Sequence, residues 1–184
     1  MTRVIKLDTA SKRYAFALYS IAEKNDNVEA VKEEFSHIVE GFMAVPEWVT
    51  ITKNPTLDRR RKSQKYLEGV SKFNIIPEIE NFFKVLVARG RTIFLQDIYK
   101  EFINIYNFKK DIEVVLVESA TKLTVAEKKK IENFIKSESL KEISVELDEV
   151  INKDLVSGFK FMFDSKQYDT SMRTKLDNLK KTFS

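Results

Sequence analysis

Four glycines and three prolines among 184 residues leave few places where this chain can turn sharply. Glycine takes left-handed conformations without strain and proline fixes φ, so these residues punctuate a sequence. Their scarcity predicts long helices joined by short connections. Ala10 to Lys24 is rich in helix formers, with Tyr14, Ala17, Leu18 and Ile21 at 3/4 spacing. Asp26 followed by Glu29 has the spacing of a capping box, opening a second helix whose stripe is Val28, Val31, Phe35, Ile38, Val39 and Phe42. Pro46 opens a short third helix carrying Trp48 and Ile51, and Asn54-Pro55 breaks the chain. A polar fourth helix is expected over Leu57 to Lys72. Pro77 begins a fifth, with Ile79, Phe82, Phe83, Leu86 and Val87, which Gly90 stops. Arg91 to Phe108 reads as a sixth, with Ile98, Phe102, Ile105 and Tyr106 apolar. Six helices with short connections make a bundle.

Beyond Phe108 the period changes. Ile112 to Val117 is β-branched and apolar, as in a buried strand. Thr124-Val-Ala-Glu127 is a capping box before a helix with Ile131, Phe134 and Ile135. Ile143, Val145 and Leu147 alternate with polar residues, and so do Phe159, Phe161 and Phe163. Asp169 or Thr170 caps a last helix with Met172, Leu176, Leu179 and Phe183 in one stripe. The expected fold is α+β, mostly α: a six-helix bundle over 1–108, then a small β-α-β-β-α domain over 109–184.

The chemical inventory is poor. With no cysteine and one histidine, there is no disulfide, no thiolate nucleophile and no Cys/His zinc site. Four isolated glycines build neither a dinucleotide loop nor a Walker loop. Glu34-x-x-His37 has the helix spacing of a di-iron ligand pair, but such a site needs a second histidine. Ser119-x-x-Lys122 matches a nucleophile motif whose partner motifs are absent. No catalytic residue, metal or cofactor is expected. The longest uncharged stretch, Tyr14 to Ala22, is nine residues, and a membrane span takes about 20. The opening residues lack the apolar block of a signal peptide.

Charge points the same way. The net +4 is spread thinly, with 17 basic against 14 acidic residues up to Phe108 and 15 against 14 after it. Nucleic-acid binders concentrate their excess. Arg59 to Lys62 is the densest basic run, and Asp58 and Glu68 dilute it. The first and fifth helices stand out instead, because each is apolar on more sides than one small bundle can cover. Tyr14, Ala17, Leu18 and Ile21, with Ile79, Phe82, Phe83 and Leu86, are therefore candidate partner-binding residues. About half of them are expected to be exposed and the rest to be core. Ala15, Ala17 and Ala22 leave a shallow groove for an amphipathic helix.

Ordered short motifs carry a resemblance over nearly the whole chain. Arg13-Tyr14-Ala15-Phe16-Ala17-Leu18 resembles an R-Y-A-x-A-L opening, and Asn81-Phe82-Phe83 through Gly90-Arg91 resembles N-F-L-x-x-L…G-R. Val115 to Thr124 is similar to V-x-S-A-x-x-L-T. Leu155 to Phe159 and Tyr168 to Ser171 are similar to L-I-G-G-F and I-D-G-S. These belong to the delta subunit family of the bacterial F-type ATP synthase, whose mitochondrial relative is the oligomycin-sensitivity-conferring protein. Three departures bear on turns: Asn152-Lys153 stands for the usual D-P, Ser157 for the first glycine of its motif, and Thr170 for the glycine before Ser171.

The resemblance implies a non-catalytic stator connector, peripheral on the cytoplasmic face of the bacterial plasma membrane and touching the membrane only through its complex. It implies that the first domain holds the N-terminal segments of the alpha subunits. It implies that the second holds the C-terminal ends of the b subunits. Met172, Leu176, Leu179 and Phe183 are the expected stalk contact, with the Phe159-Phe161-Phe163 strand as fallback. No nucleic acid is expected. The rival readings are a two-domain helical adaptor of another complex and a weak nucleic-acid-binding helical protein.

Overall fold

The structure is a computed structural model that describes residues 9–45, 68–69, 75–155, 157–164 and 166–170. It is mostly helical, with a small mixed four-stranded sheet near the C-terminal end. The chain divides into two compact units, Met1–Tyr106 and Asn107–Ser184, at the last turn of a helix. The expected helices at Pro46 and over Leu57–Lys72 lie outside the described residues, apart from Glu68 and Gly69, which are helical. The Arg59–Lys62 run lies outside them too.

The N-terminal unit contains α1 (Ala10–Lys24), α2 (Val28–Ala44), α3 (Pro77–Arg89) and most of α4 (Leu95–Lys109). A 3-10 turn, Thr92–Phe94, precedes α4, so the expected helix from Arg91 starts four residues late. Thr9 caps α1 by accepting the Lys12 N–H at 3.2 Å. Pro77 sits in the first turn of α3, where its missing donor leaves nothing unpaired. Phe35 of α2 is the aromatic hub. Fully buried, it meets Phe82, Phe83, Tyr99 and Phe102 edge-on at centroid distances of 5.3–6.4 Å. Edge-to-face pairs use the ring quadrupole and add about 0.5–1.5 kcal/mol each beyond burial.

The turn between α1 and α2 corrects the sequence reading. Asp26 has φ 54° and closes α1, with its N–H donated to the Glu23 carbonyl at 3.3 Å. Asn27 is the N-cap residue of α2 and makes no side-chain cap bond. The Asp26–Glu29 capping box therefore does not form. The Glu29 carboxylate instead accepts the Tyr106 hydroxyl at 2.8 Å, and Lys32 Nζ lies 4.2 Å from the centroid of that ring.

In the C-terminal unit, β1 (Ile112–Ser119) lies between β2 (Ser144–Ile151) and β3 (Phe159–Phe163), parallel to the first and antiparallel to the second. β4 (Lys166–Asp169) forms a hairpin with β3, giving the order β2-β1-β3-β4. The expected three strands become four. Lys166-Gln-Tyr-Asp carries one large apolar residue and gave no strand signal. Its pairing follows from the tight turn at Asp164, which has φ 48°. The last expected helix falls in 171–184, outside the described residues.

α5 (Val125–Glu138) covers one face of the sheet. Its capping box forms as expected: Thr124 Oγ1 accepts the Glu127 N–H, and the Glu127 carboxylate accepts the Thr124 N–H at 2.8 Å. Val115, Val117, Leu123, Ile131, Ile135 and Phe161 make the core there. Gly158 has φ 84°, and its carbonyl accepts the Ala120 N–H at 3.1 Å, a turn that suits a residue without Cβ.

Candidate partner-binding surfaces

Of the residues with chemical potential, Glu34 has a structural role. The Glu34 carboxylate accepts the Ile76 N–H at 2.9 Å, just ahead of α3, and His37 is exposed. Ser119 is buried, its Oγ without a partner among the described residues, and its carbonyl accepts the Asn152 N–H at 2.8 Å. Lys122 is exposed. Among the described residues, no group of three or more acidic or histidine side chains is placed to hold a metal ion. None of the described helices is long and apolar enough to cross a membrane.

Surfaces are the remaining resource. The buried residues of α1 are Ala15, Leu18, Tyr19 and Ala22. That stripe has the same 3/4 spacing as Tyr14, Ala17, Leu18 and Ile21, advanced by one residue. A helix that is apolar nearly all round leaves its phase undetermined by pattern, and packing decides it. Ala15 and Ala22, both at 0% exposure, let the α1 backbone come close to its neighbours. Leu18 is consequently core, whereas Ala17 is exposed, Tyr14 is half-buried and Ile21 is 51% exposed.

On α3 the expectation of a shared groove is corrected more strongly. Ile79, Phe82, Phe83 and Leu86 are all buried, at 0–9% exposure, and pack inside their own unit. Phe82 and Phe83 are held by Phe35, and Phe83 stacks on Phe42 at 6.2 Å. These four residues are themselves a 3/1/3 stripe, and one face of α3 buries them together. Val85, 48% exposed, is the large apolar side chain that α3 leaves outside.

α3 reaches the α1 surface through its end. Gly90 takes φ 65°, ψ 32°, and its N–H turns back to the Leu86 and Val87 carbonyls. The Arg91 N–H then bonds the Leu86 carbonyl at 2.8 Å. This double closure is the left-handed glycine ending of a helix, and it fixes where the next side chain starts. Arg91 is delivered to α1, where Ala10, Arg13, Tyr14, Ala17 and Arg91 line an open pocket of about 340 Å³. At the other end of α1, the Asn25 and Asn27 amides donate to Glu78 Oε1 at 2.7 and 2.9 Å. α1 and α3 thus lie antiparallel, tied by hydrogen bonds at the Glu78 end and flanking the pocket at the other. Arg13 and Arg91 were not singled out from the sequence as binding residues. The available signal was a glycine followed by arginine at a helix end.

The C-terminal unit has an open sheet face opposite α5. Val114, Leu116, Val150 and Met162 alternate with the core residues and are 45–64% exposed. Glu146 and Asp148 stand opposite Val114 and Leu116 on β2. The Phe159-Phe161-Phe163 side faces the core: Phe161 is buried and stacks on Tyr168 at 5.1 Å, and Phe159 and Phe163 pack beside it. Met172, Leu176, Leu179 and Phe183 lie outside the described residues.

Comparison with known proteins decides the family. The family model for the ATP synthase delta (OSCP) subunit matches residues 10–183. The chain belongs to the ATP synthase delta (OSCP) subunit family. It is 31% identical to ATP synthase subunit delta of Caldanaerobacter subterraneus over 93% of this chain and 94% of that one. It is 27% identical to the subunit delta of Mycoplasmopsis synoviae, over 97% and 94%. A chain in the mitochondrial ATP synthase hexamer of Toxoplasma gondii shares the fold, with a TM-score of 0.67 at 20% identity, over 96% of this chain and 98% of that one. Membership makes this a stator subunit of the ATP synthase, a non-catalytic part of the complex.

The family motifs now have physical readings. In Arg13 to Leu18, Ala15 and Leu18 serve the core while Arg13 and Ala17 face outward. Asn81-Phe82-Phe83 supplies the core, and Gly90-Arg91 supplies the pocket wall. Where this chain departs from the family motifs, side chains tie the turns. Asn152 Nδ2 donates to Glu118 at 2.6 Å while its Oδ1 accepts the Asp154 N–H at 3.0 Å. Thr170 Oγ1 accepts the Phe159 N–H and donates to the Phe159 carbonyl.

Proposed function

We propose that the N-terminal unit grips the N-terminal segments of the alpha subunits of the catalytic head. The C-terminal unit holds the distal ends of the b subunits, on the cytoplasmic face of the bacterial plasma membrane. Together they stop the head from turning with the rotor. The reading includes six helices in the first domain and a final helix after β4. The observation that carries it is the outward face of α1, where exposed Ala17 and Ile21 adjoin a pocket on a chain of this family. A stator joint transmits torque, so it must dissociate slowly. Apolar anchors in a groove suit that need, because affinity differences among related interfaces lie mostly in the dissociation rate.

The head contact is tested with the full chain and a synthetic peptide of the alpha N-terminal segment from the same organism. Ala17→Trp should block binding while leaving the melting temperature unchanged, since Ala17 is exposed. Wild-type affinity in that variant would move the contact off α1. For the stalk, Met172, Leu176, Leu179 and Phe183 form the proposed contact. One such side chain buried against a partner is worth roughly 1.5–3 kcal/mol, or about one to two decades in affinity. Removing Leu179 to Ser184 should abolish capture of b and spare the alpha peptide. Undiminished capture of b would transfer the contact to the open sheet face, because the aromatic side of β3 is occupied by its own core.

A further inference from the structure

We propose that the pocket between α1 and the end of α3 seats an acidic side chain of the partner helix, held jointly by Arg13 and Arg91. The inference rests on the head-contact reading and specifies the chemistry of the occupant. Among the described residues, the pocket is walled by two small residues, one aromatic residue and two arginines, with no carboxylate. Among the described residues, neither guanidinium group has a hydrogen-bond or ion-pair partner. Three lysines of the molecule are paired: Lys84 with Glu80, Lys128 with Glu149 and Lys160 with Glu118, at 2.6–3.0 Å. Two uncompensated like charges converging on one concavity create a positive potential that the apolar wall concentrates. The guanidinium fork matches a carboxylate with two parallel bonds, which also fixes the angle of approach.

The apolar surface that leaves the pocket says what else the occupant carries. Ala17 lines the pocket and Ile21 follows it one turn along α1, about 6 Å away at 1.5 Å per residue. A helix lying along this face therefore has its acidic residue one to two turns from its first apolar anchor. The Gly90 ending matters here as well. It places the second arginine on a short, closed turn, so little rotational freedom of the backbone is lost when the carboxylate arrives.

The test uses the full chain and the labelled synthetic peptide of the alpha N-terminal segment, with affinity read by fluorescence anisotropy. Arg13→Gln and Arg91→Gln should each weaken binding about tenfold, with the loss shrinking in high salt. Both variants should melt like wild type, because both arginines are exposed and neither guanidinium is paired among the described residues. One peptide whose acidic residue is replaced by lysine should bind wild type poorly and regain affinity for Arg91→Glu. If the double glutamine variant binds at wild-type strength while Ala17→Trp does not bind, the acidic clamp is overturned and the head contact stands. If the wild-type chain does not bind the peptide at all, both are overturned.

Discussion

Aspartate does at three turns of this chain what glycine does in most proteins. Asp26, Asp111 and Asp164 all have φ near 50°, a region that disfavours side chains with a Cβ but tolerates Asp and Asn. Four glycines suffice because these aspartates take over, and that is why a capping-box reading of Asp26 failed: the residue ends one helix rather than starting the next. Ser119 is a different residue-scale anomaly, a buried hydroxyl with no partner among the described residues. Leaving such a group unsatisfied costs about 1–3 kcal/mol. Ser119→Ala should therefore raise the unfolding free energy, by about 1 kcal/mol, in urea titration. A loss of stability would mean that the hydroxyl is satisfied after all.

Among the elements, the sheet divides its work between two faces one residue out of phase. Val117 is fully buried under α5, while its neighbour Leu116 is 51% exposed on the open face. Because strand periodicity is two, adjacent positions have opposite fates. Leu116→Glu should change stability by no more than about 0.5 kcal/mol, as surface changes usually do. Val117→Glu should unfold the C-terminal unit, since it buries an unpaired charge. Equal effects in a thermal melt would contradict the assigned register. Helix α1 shows the same logic at its own period: the buried stripe at 15, 18, 19 and 22 leaves the stripe through 14, 17 and 21 facing out. The element walls a core on one side and exposes, on the other, the surface proposed for docking.

At the scale of the molecule, both units use carboxylates as ties between elements. The Glu78 carboxyl is held below its ordinary value of 4.5 first by the Asn25 amide, then by its own backbone N–H and Asn27. Glu118 is lowered by Asn152 and then Lys160, Glu127 by the Thr124 hydroxyl and then its N–H, and Glu149 by Lys128 and then the Leu123 N–H. In each case the folded value lies below the unfolded one. The stability these ties contribute is present above the unfolded value and is lost as pH falls from about 4.5 through the folded values. The melting temperature should hold from neutral pH down to about 5.5 and decline below 4.5. Glu149→Gln should lower it at neutral pH and flatten that decline. A melting temperature insensitive to acid would show that these ties form equally in the unfolded chain.

Local signals determined which elements this chain forms. The α5 capping box, the Gly90 stop, Pro77 at a helix start, the β-branched run of β1 and the alternation in β2 and β3 act within a few residues, so each was legible before any packing was known; that one face of β1 is exposed was not. The family, too, was legible in the order of short motifs from Arg13 to Ser171. Tertiary structure decided what local pattern leaves degenerate. It chose which of two apolar stripes of α1 meets the core, because only the one bearing Ala15 and Ala22 allows close approach. It buried the whole α3 stripe, because Phe35 gathers those rings from another helix. It made a strand of Lys166–Asp169, whose hydrogen bonds come from β3 and not from its own residues. It brought Arg91 to Arg13 across 78 positions of chain, a juxtaposition set by the antiparallel course of two helices and invisible to any window of sequence.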